Sequence, residues 1–70
     1  MAFVEAHITG TVWKIACAVG DVVADGDELV ILESMKMEMP VESEDAGTVA
    51  RILCEEGQPV VEGQALVELE

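Results

Sequence analysis

Few residues in this chain could carry chemistry. Its only Lys and Arg residues are Lys14, Lys36 and Arg51, and its only histidine is His7. Lys36 stands directly between Met35 and Met37, with Met39 close behind, so three of the four methionines crowd one amine. Apolar side chains beside a lysine, on an otherwise acidic chain, point to a recognition patch around a solvated amine. Met39 instead fits the role of a flexible core filler. The other candidates do not assemble. No Cys-x-x-Cys occurs, and Cys17 and Cys54 lie far apart in sequence, which is not metal-ligand spacing. No nucleophile, base and orienter can be grouped. Cys17 and Cys54 read as two buried, aliphatic-like residues of a reducing cytosol. His7 reads as a solvated strand residue, and Glu42, Glu44 and Asp45 read as a solvated acidic face.

The chain must position Lys36 with little material. Seventy residues allow one small domain, with no room for a deep substrate cleft. Fifteen Asp and Glu against three Lys and Arg give a net charge of -12. That charge argues against nucleic acid and against anionic membrane surfaces. No apolar run approaches the roughly 18–20 residues of a membrane span, and no signal-peptide pattern opens the chain. Leu, Ile, Val and Phe make up 30 % of the residues, too much for a disordered acidic tail. Eighteen β-branched residues favour pleated sheet over helix, and the single Trp and single Phe leave an aliphatic core.

The chain repeats itself. Shifted by 37 positions, residues 10–33 meet residues 47–70 without a gap, and 12 of the 24 positions are identical. Gly10-Thr11-Val12 falls on Gly47-Thr48-Val49, Cys17 on Cys54, Leu29-Val30 on Leu66-Val67, and Leu32-Glu33 on Leu69-Glu70. All six glycines pair. Residues 1–33 form one half, residues 38–70 the other, and the leftover residues 34–37 form the junction. Two like halves, each with an apolar face, can bury it against one another in a pseudo-two-fold fold. Two copies are too few for a solenoid.

Each half reads as short strands punctuated by glycine. Strands are expected at 3–8, 11–16, 22–23 and 28–33, then at 40–44, 48–53, 60–62 and 65–69. The glycines are expected to supply positive-φ turns or bulges. Pro59 suits a short edge strand that can spare an N–H. No stretch holds a 3.6-residue period long enough for a helix. The prediction is an all-β, flattened sandwich or barrel of about eight short strands in two quasi-symmetric halves.

In a duplicated fold the scaffold repeats and the functional residues need not. Lys14 falls on Arg51, so both read as repeated surface features. Lys36 has no counterpart. The apolar run Leu29–Leu32 before it and Val41 after it predict a tight hairpin, with Lys36 at or near the tip and Met35 and Met37 exposed beside it.

Here the sequence resembles a known family. Glu33-Ser34-Met35-Lys36-Met37-Glu38 looks like the biotinyl attachment motif of the biotinyl/lipoyl domains. Gly20-Asp21-Val22-Val23 and Gly26-Asp27-Glu28-Leu29 are similar to that family's first-half pattern. Ala46-Gly47-Thr48-Val49, Glu56-Gly57-Gln58-Pro59-Val60 and Gly63-Gln64-Ala65-Leu66 are similar to its second half. The resemblance covers essentially the whole chain. Ser34 stands where Ala is commonest, a small-for-small change. The protruding thumb loop of some bacterial carriers is absent, as is the long N-terminal arm of many. Either a free-standing protein or a domain cut from a larger subunit fits, and Met1 leans toward the former.

The resemblance implies a single biotin carboxyl carrier domain over residues 1–70, with the hammerhead fold. It implies biotin joined by an amide to the Lys36 amine. Met35 and Met37 would serve recognition by the biotin protein ligase, with Glu33, Ser34 and Glu38 completing the site. The ligase activates biotin as an adenylate, so the lysine must project from a turn to reach it. The cofactor supplies the chemistry and the carrier supplies presentation, so the chain itself is not an enzyme. Its partners would be the ligase, a biotin carboxylase and a carboxyltransferase, met in the cytoplasm by a soluble monomer. A lipoyl carrier, or one accepting both groups, is the alternative. In lipoyl carriers the residue before the lysine is typically Asp and the next is often small, and Met35 and Met37 depart from both. A purely structural β module would leave the Met-Lys-Met junction unexplained.

Overall fold

A computed structural model describes residues 2–70, so Met1, and any inference from it, lies outside the described residues. Those residues form eight strands: β1 (Ala2–Glu5), β2 (Gly10–Ile15), β3 (Val22–Val23), β4 (Glu28–Ser34), β5 (Met37–Glu42), β6 (Gly47–Ile52), β7 (Pro59–Val60) and β8 (Ala65–Leu69). Each strand falls where the sequence pattern places one, with shifted ends. β1 stops at Glu5, so His7 lies in an exposed bend rather than in a strand. β5 begins at Met37, three residues early, because the turn before it is tighter than the four-residue junction expected.

The strands pair as two four-stranded sheets, in the orders β1-β8-β6-β3 and β5-β4-β2-β7. The 37-residue shift carries one order onto the other. Each sheet takes its two central strands from one half and its two edge strands from the other. The halves are therefore interlaced, and not two separate layers pressed face to face. Pro59 sits in the edge strand β7, where no further ladder needs its missing N–H.

The single core repeats the two-fold. Val4 and Val41, Val12 and Val49, Val23 and Val60, Leu29 and Leu66, Val30 and Val67, and Leu32 and Leu69 are all buried. Leu29 beside Val30 and Leu66 beside Val67 are buried as adjacent pairs, because the ladder skips Leu29 and Leu66 at bulges. Each buried Leu or Val contributes about 1.5–3 kcal/mol of burial, offset by the chain entropy of ordering a short polypeptide. Cys54 joins the core, while Cys17 is half-buried at its margin; both thiols are free. Met39 faces Leu32 across β4–β5 but is only half-buried and lies outside the core, contrary to the filler role expected of it. An edge strand leaves its side chain open on one side.

Four turns repeat one device. The N–H groups of Ala18, Ala24, Glu55 and Val61 donate to the side-chain oxygens of Asp21, Asp27, Gln58 and Gln64, at 2.9, 2.9, 3.0 and 3.2 Å. The glycine before each acceptor has φ near +90°. Gly10 and Gly47 serve differently from the turn role expected. A Cβ on Gly10 would come within 2.6 Å of the Glu33 carbonyl oxygen, and one on Gly47 within 2.7 Å of that of Glu70. These two glycines let neighbouring backbones approach closely.

Candidate functional site

The site is the hairpin joining β4 to β5. Its ladder runs Leu32 opposite Met39, Glu33 opposite Glu38 and Ser34 opposite Met37. Only Met35 and Lys36 remain as the loop. Both have positive φ, 54° and 63°. Positive φ at both central residues marks the turn whose twist suits a two-residue hairpin, and Asn-Gly is its usual sequence. Met and Lys there cost about 1–2 kcal/mol each relative to residues that tolerate the left-handed region. Strain held by a well-packed hairpin, at two non-glycine residues, concentrates at functional positions.

The geometry places every residue expected at the site around this tip. Met35 is 89 % exposed and Met37 55 % exposed. Lys36 is exposed and makes no ion pair among the described residues. Its amine is thus held out in water between two apolar side chains. Ser34 is half-buried as the last residue of β4, and Glu33 and Glu38 are exposed. Directly opposed carboxylates repel one another, so this pair disfavours the hairpin slightly and is available to a cation. The Glu33 backbone is fixed from behind, because its carbonyl packs over Gly10. The turn's left-handed backbone carries no sequence signal, since neither Met nor Lys favours it.

Elsewhere the described residues form shallow clefts. One of about 250 Å³ lies between residues 3–7 and Glu42, Glu44 and Asp45; one of about 290 Å³ lies between residues 40–44 and Glu5, His7 and Asp25. The internal two-fold relates them; the second touches the far end of β5 at Pro40–Glu42, and neither is lined by residues of the tip. Lys14 and Arg51 prove unequal despite their equivalent places. Arg51 donates through Nε to Glu68 at 2.6 Å, and Glu68 is buried. Lys14 has Ile31 opposite it instead. The burial of Glu68 escaped the sequence reading. The break in the repeat, Ile31 against Glu68, is the one signal that could have exposed it.

A small two-sheet domain with pseudo-two-fold symmetry and a lysine at the tip of its central hairpin has the architecture of a swinging-arm carrier. The family model Biotin_lipoyl, described as "Biotin-requiring enzyme", matches residues 3–69, and the chain belongs to this family. It is 42 % identical over 41 residues to the biotin/lipoyl attachment protein of Bacillus subtilis, a match covering 59 % of this chain and 56 % of that protein. It is 50 % identical over 38 residues to the biotinylated protein TB7.3 homolog of Mycolicibacterium smegmatis, covering 54 % of each. The matched stretch spans about half the length of these curated relatives. In structure it is similar to the urea carboxylase of Kluyveromyces lactis, with a TM-score of 0.93 and 36 % identity over 99 % of this chain and 6 % of that one.

Proposed function

We propose that this chain is a biotin carboxyl carrier domain and that Lys36 bears the biotin. The observation that carries the reading is the two-residue tip itself, with an exposed, unpaired amine on a strained turn between Met35 and Met37. An amide linkage needs a free lysine amine that can enter a ligase's active site, and the tip fits that need. Bound biotin supplies a ring nitrogen that takes up a carboxyl group at one active site and gives it up at another. The rigid β4–β5 hairpin presents the arm, and the acidic body keeps the domain apart from its own copies. Carboxyl transfer on bound biotin needs no acid, base or nucleophile from the carrier, so the chain acts as a non-catalytic component. Its partners are a biotin protein ligase, a biotin carboxylase and a carboxyltransferase, and it works as a cytoplasmic monomer.

The deciding measurement is intact mass after co-expression with a biotin protein ligase and biotin, with lipoate and a lipoate ligase as the parallel arm. One biotinyl group per chain is the expected result; exclusive lipoylation would reverse the reading. The parallel arm is warranted because the Bacillus relative's name carries both groups. Discrimination should run through Met35. Met35→Asp puts a charge where an apolar contact is needed, and its desolvation cost should lower the biotinylation rate about tenfold, equivalent to about 1.4 kcal/mol, with the melting curve preserved.

A further inference from the structure

The two sheets are copies on their inner faces and differ on their outer ones. In β2 the ladder passes from Val12 opposite Leu32 to Lys14 opposite Ile31, so Trp13 is the extra residue of a bulge. In β6 it passes from Val49 opposite Leu69 to Arg51 opposite Glu68, and Ala50 is the extra residue. Both residues of such a bulge oppose one partner residue. Pro40 flanks Ile31 on the far side, and Phe3 flanks Glu68. The lysine-bearing sheet thus carries Trp13, Ile31 and Pro40 outward, beside Lys14. The other sheet carries Phe3, 51 % exposed, at the place of Pro40, but Ala50 in place of Trp13 and, in place of Lys14 and Ile31, an Arg51–Glu68 pair that satisfies itself. Trp13 is 47 % exposed.

This apolar row continues the Lys36 hairpin. Ile31 and Pro40 lie two residues below Glu33 and Glu38 on the same outward face, about 7 Å along the strands. The tip follows a similar distance beyond. Even weak protein interfaces bury several hundred Å² on each partner, more than two loop residues can supply. A partner reaching the tip must therefore rest on the body of the domain. Beside the tip it meets first an unpaired acidic row and then a Trp-centred apolar row, and Trp is over-represented among residues that dominate binding.

We infer that the outer face formed by Trp13, Ile31 and Pro40 is the docking surface for the ligase that modifies Lys36, seated in an apolar recess whose rim offers cations to Glu33 and Glu38. The inference rests on the carrier reading above. The ligase is the favoured occupant for a reason of reach. It must draw in the bare lysine amine, so it must approach the body closely. Later partners meet a lysine lengthened by its prosthetic group and can stand off from the strands.

The fold supplies its own control, because the second half already carries the opposite choices. Trp13→Ala, Lys14→Arg and Ile31→Glu combined give the two central strands of the lysine-bearing sheet the outer residues of their twins, β6 and β8. The combined variant should fold with a cooperative melt. Its biotinylation kcat/KM should drop at least about tenfold, mostly through KM, while Phe3→Ala on the other sheet should change it by less than about twofold. Should the combined variant fail to fold, Trp13→Ala alone carries the test, since Ala is the residue the second half uses there. Wild-type labelling with no loss in either variant overturns the docking surface and leaves the carrier reading intact. So does a variant that is labelled normally but carboxylated slowly, because the face would then belong to a later partner. No labelling of the wild type overturns both.

Discussion

Ile31 and Glu68 hold equivalent places in the two halves, yet one is a half-buried hydrocarbon and the other a buried carboxylate gripped by Arg51. Inward, the same comparison shows almost no divergence. Leu29 matches Leu66, Leu32 matches Leu69, and Val12 matches Val49. The contrast has a physical cause. The interlaced sheets share one close-packed core, so a change of volume in either half is felt by both. Outward residues answer only to water, to their cross-strand neighbours and to whatever docks on them. The halves also differ where each ends. Glu33 leads through Ser34 into the strained Met35-Lys36 turn, while its counterpart Glu70 exchanges hydrogen bonds with Thr48 just past β8. Inner symmetry therefore reports on folding, and outer asymmetry reports on function.

The sharpest way to break this comparison is at the lysines. Lys36→Arg keeps the charge but offers a far poorer nucleophile, so streptavidin blotting should show no biotin on that variant. Lys14→Arg should label like wild type. Persistent labelling of Lys36→Arg would sink the assignment.

The core tests the symmetry itself. Leu29→Ala and Leu66→Ala should each lower unfolding free energy by about 2–5 kcal/mol in denaturant titrations, and by similar amounts. A large inequality would mean that one half folds more independently than the interlaced sheets allow.

The close-approach glycines should respond unequally. Gly10→Ala forces a Cβ against the Glu33 carbonyl, which is pinned between β2 and the hairpin, and should cost about 1–3 kcal/mol. Gly47→Ala meets the Glu70 carbonyl, whose hydrogen bond from the Thr48 N–H is long at 3.5 Å, and should cost less. Thermal melts of the pair would show the order, and a larger loss at Gly47 would contradict it.

The smallest contrast lies in the thiols. Burial pushes both Cys17 and Cys54 above the usual thiol range, with Asp21 adding to the rise at Cys17 and Cys17 adding to it at Cys54. A raised thiol holds less thiolate at neutral pH, so alkylation by iodoacetamide should be slow and should speed up as pH climbs. Cys17, at the core's margin, should react before Cys54. The reverse order, read by mass spectrometry, would place the second half's thiol nearer to solvent than its burial allows.

Much of this was legible in the chain alone. The 37-residue repeat, the eight strands and the unrepeated Lys36 follow from local patterns: period-two alternation, glycine spacing and a broken copy. Local patterns exist because strand formation and tight turns depend on near neighbours. Tertiary structure alone decided the rest. The exchange of edge strands between halves is a long-range pairing that no window of sequence encodes. The left-handed turn at Met35 and Lys36 runs against their intrinsic preference and is held by the ladder that ends at Ser34 and Met37. Met39 has the type of a core residue and is left at the margin by its edge strand. Glu68 is flanked by Phe3 from β1 on one side and gripped by Arg51 from β6 on the other, a meeting of residues 65 and 17 positions away along the chain.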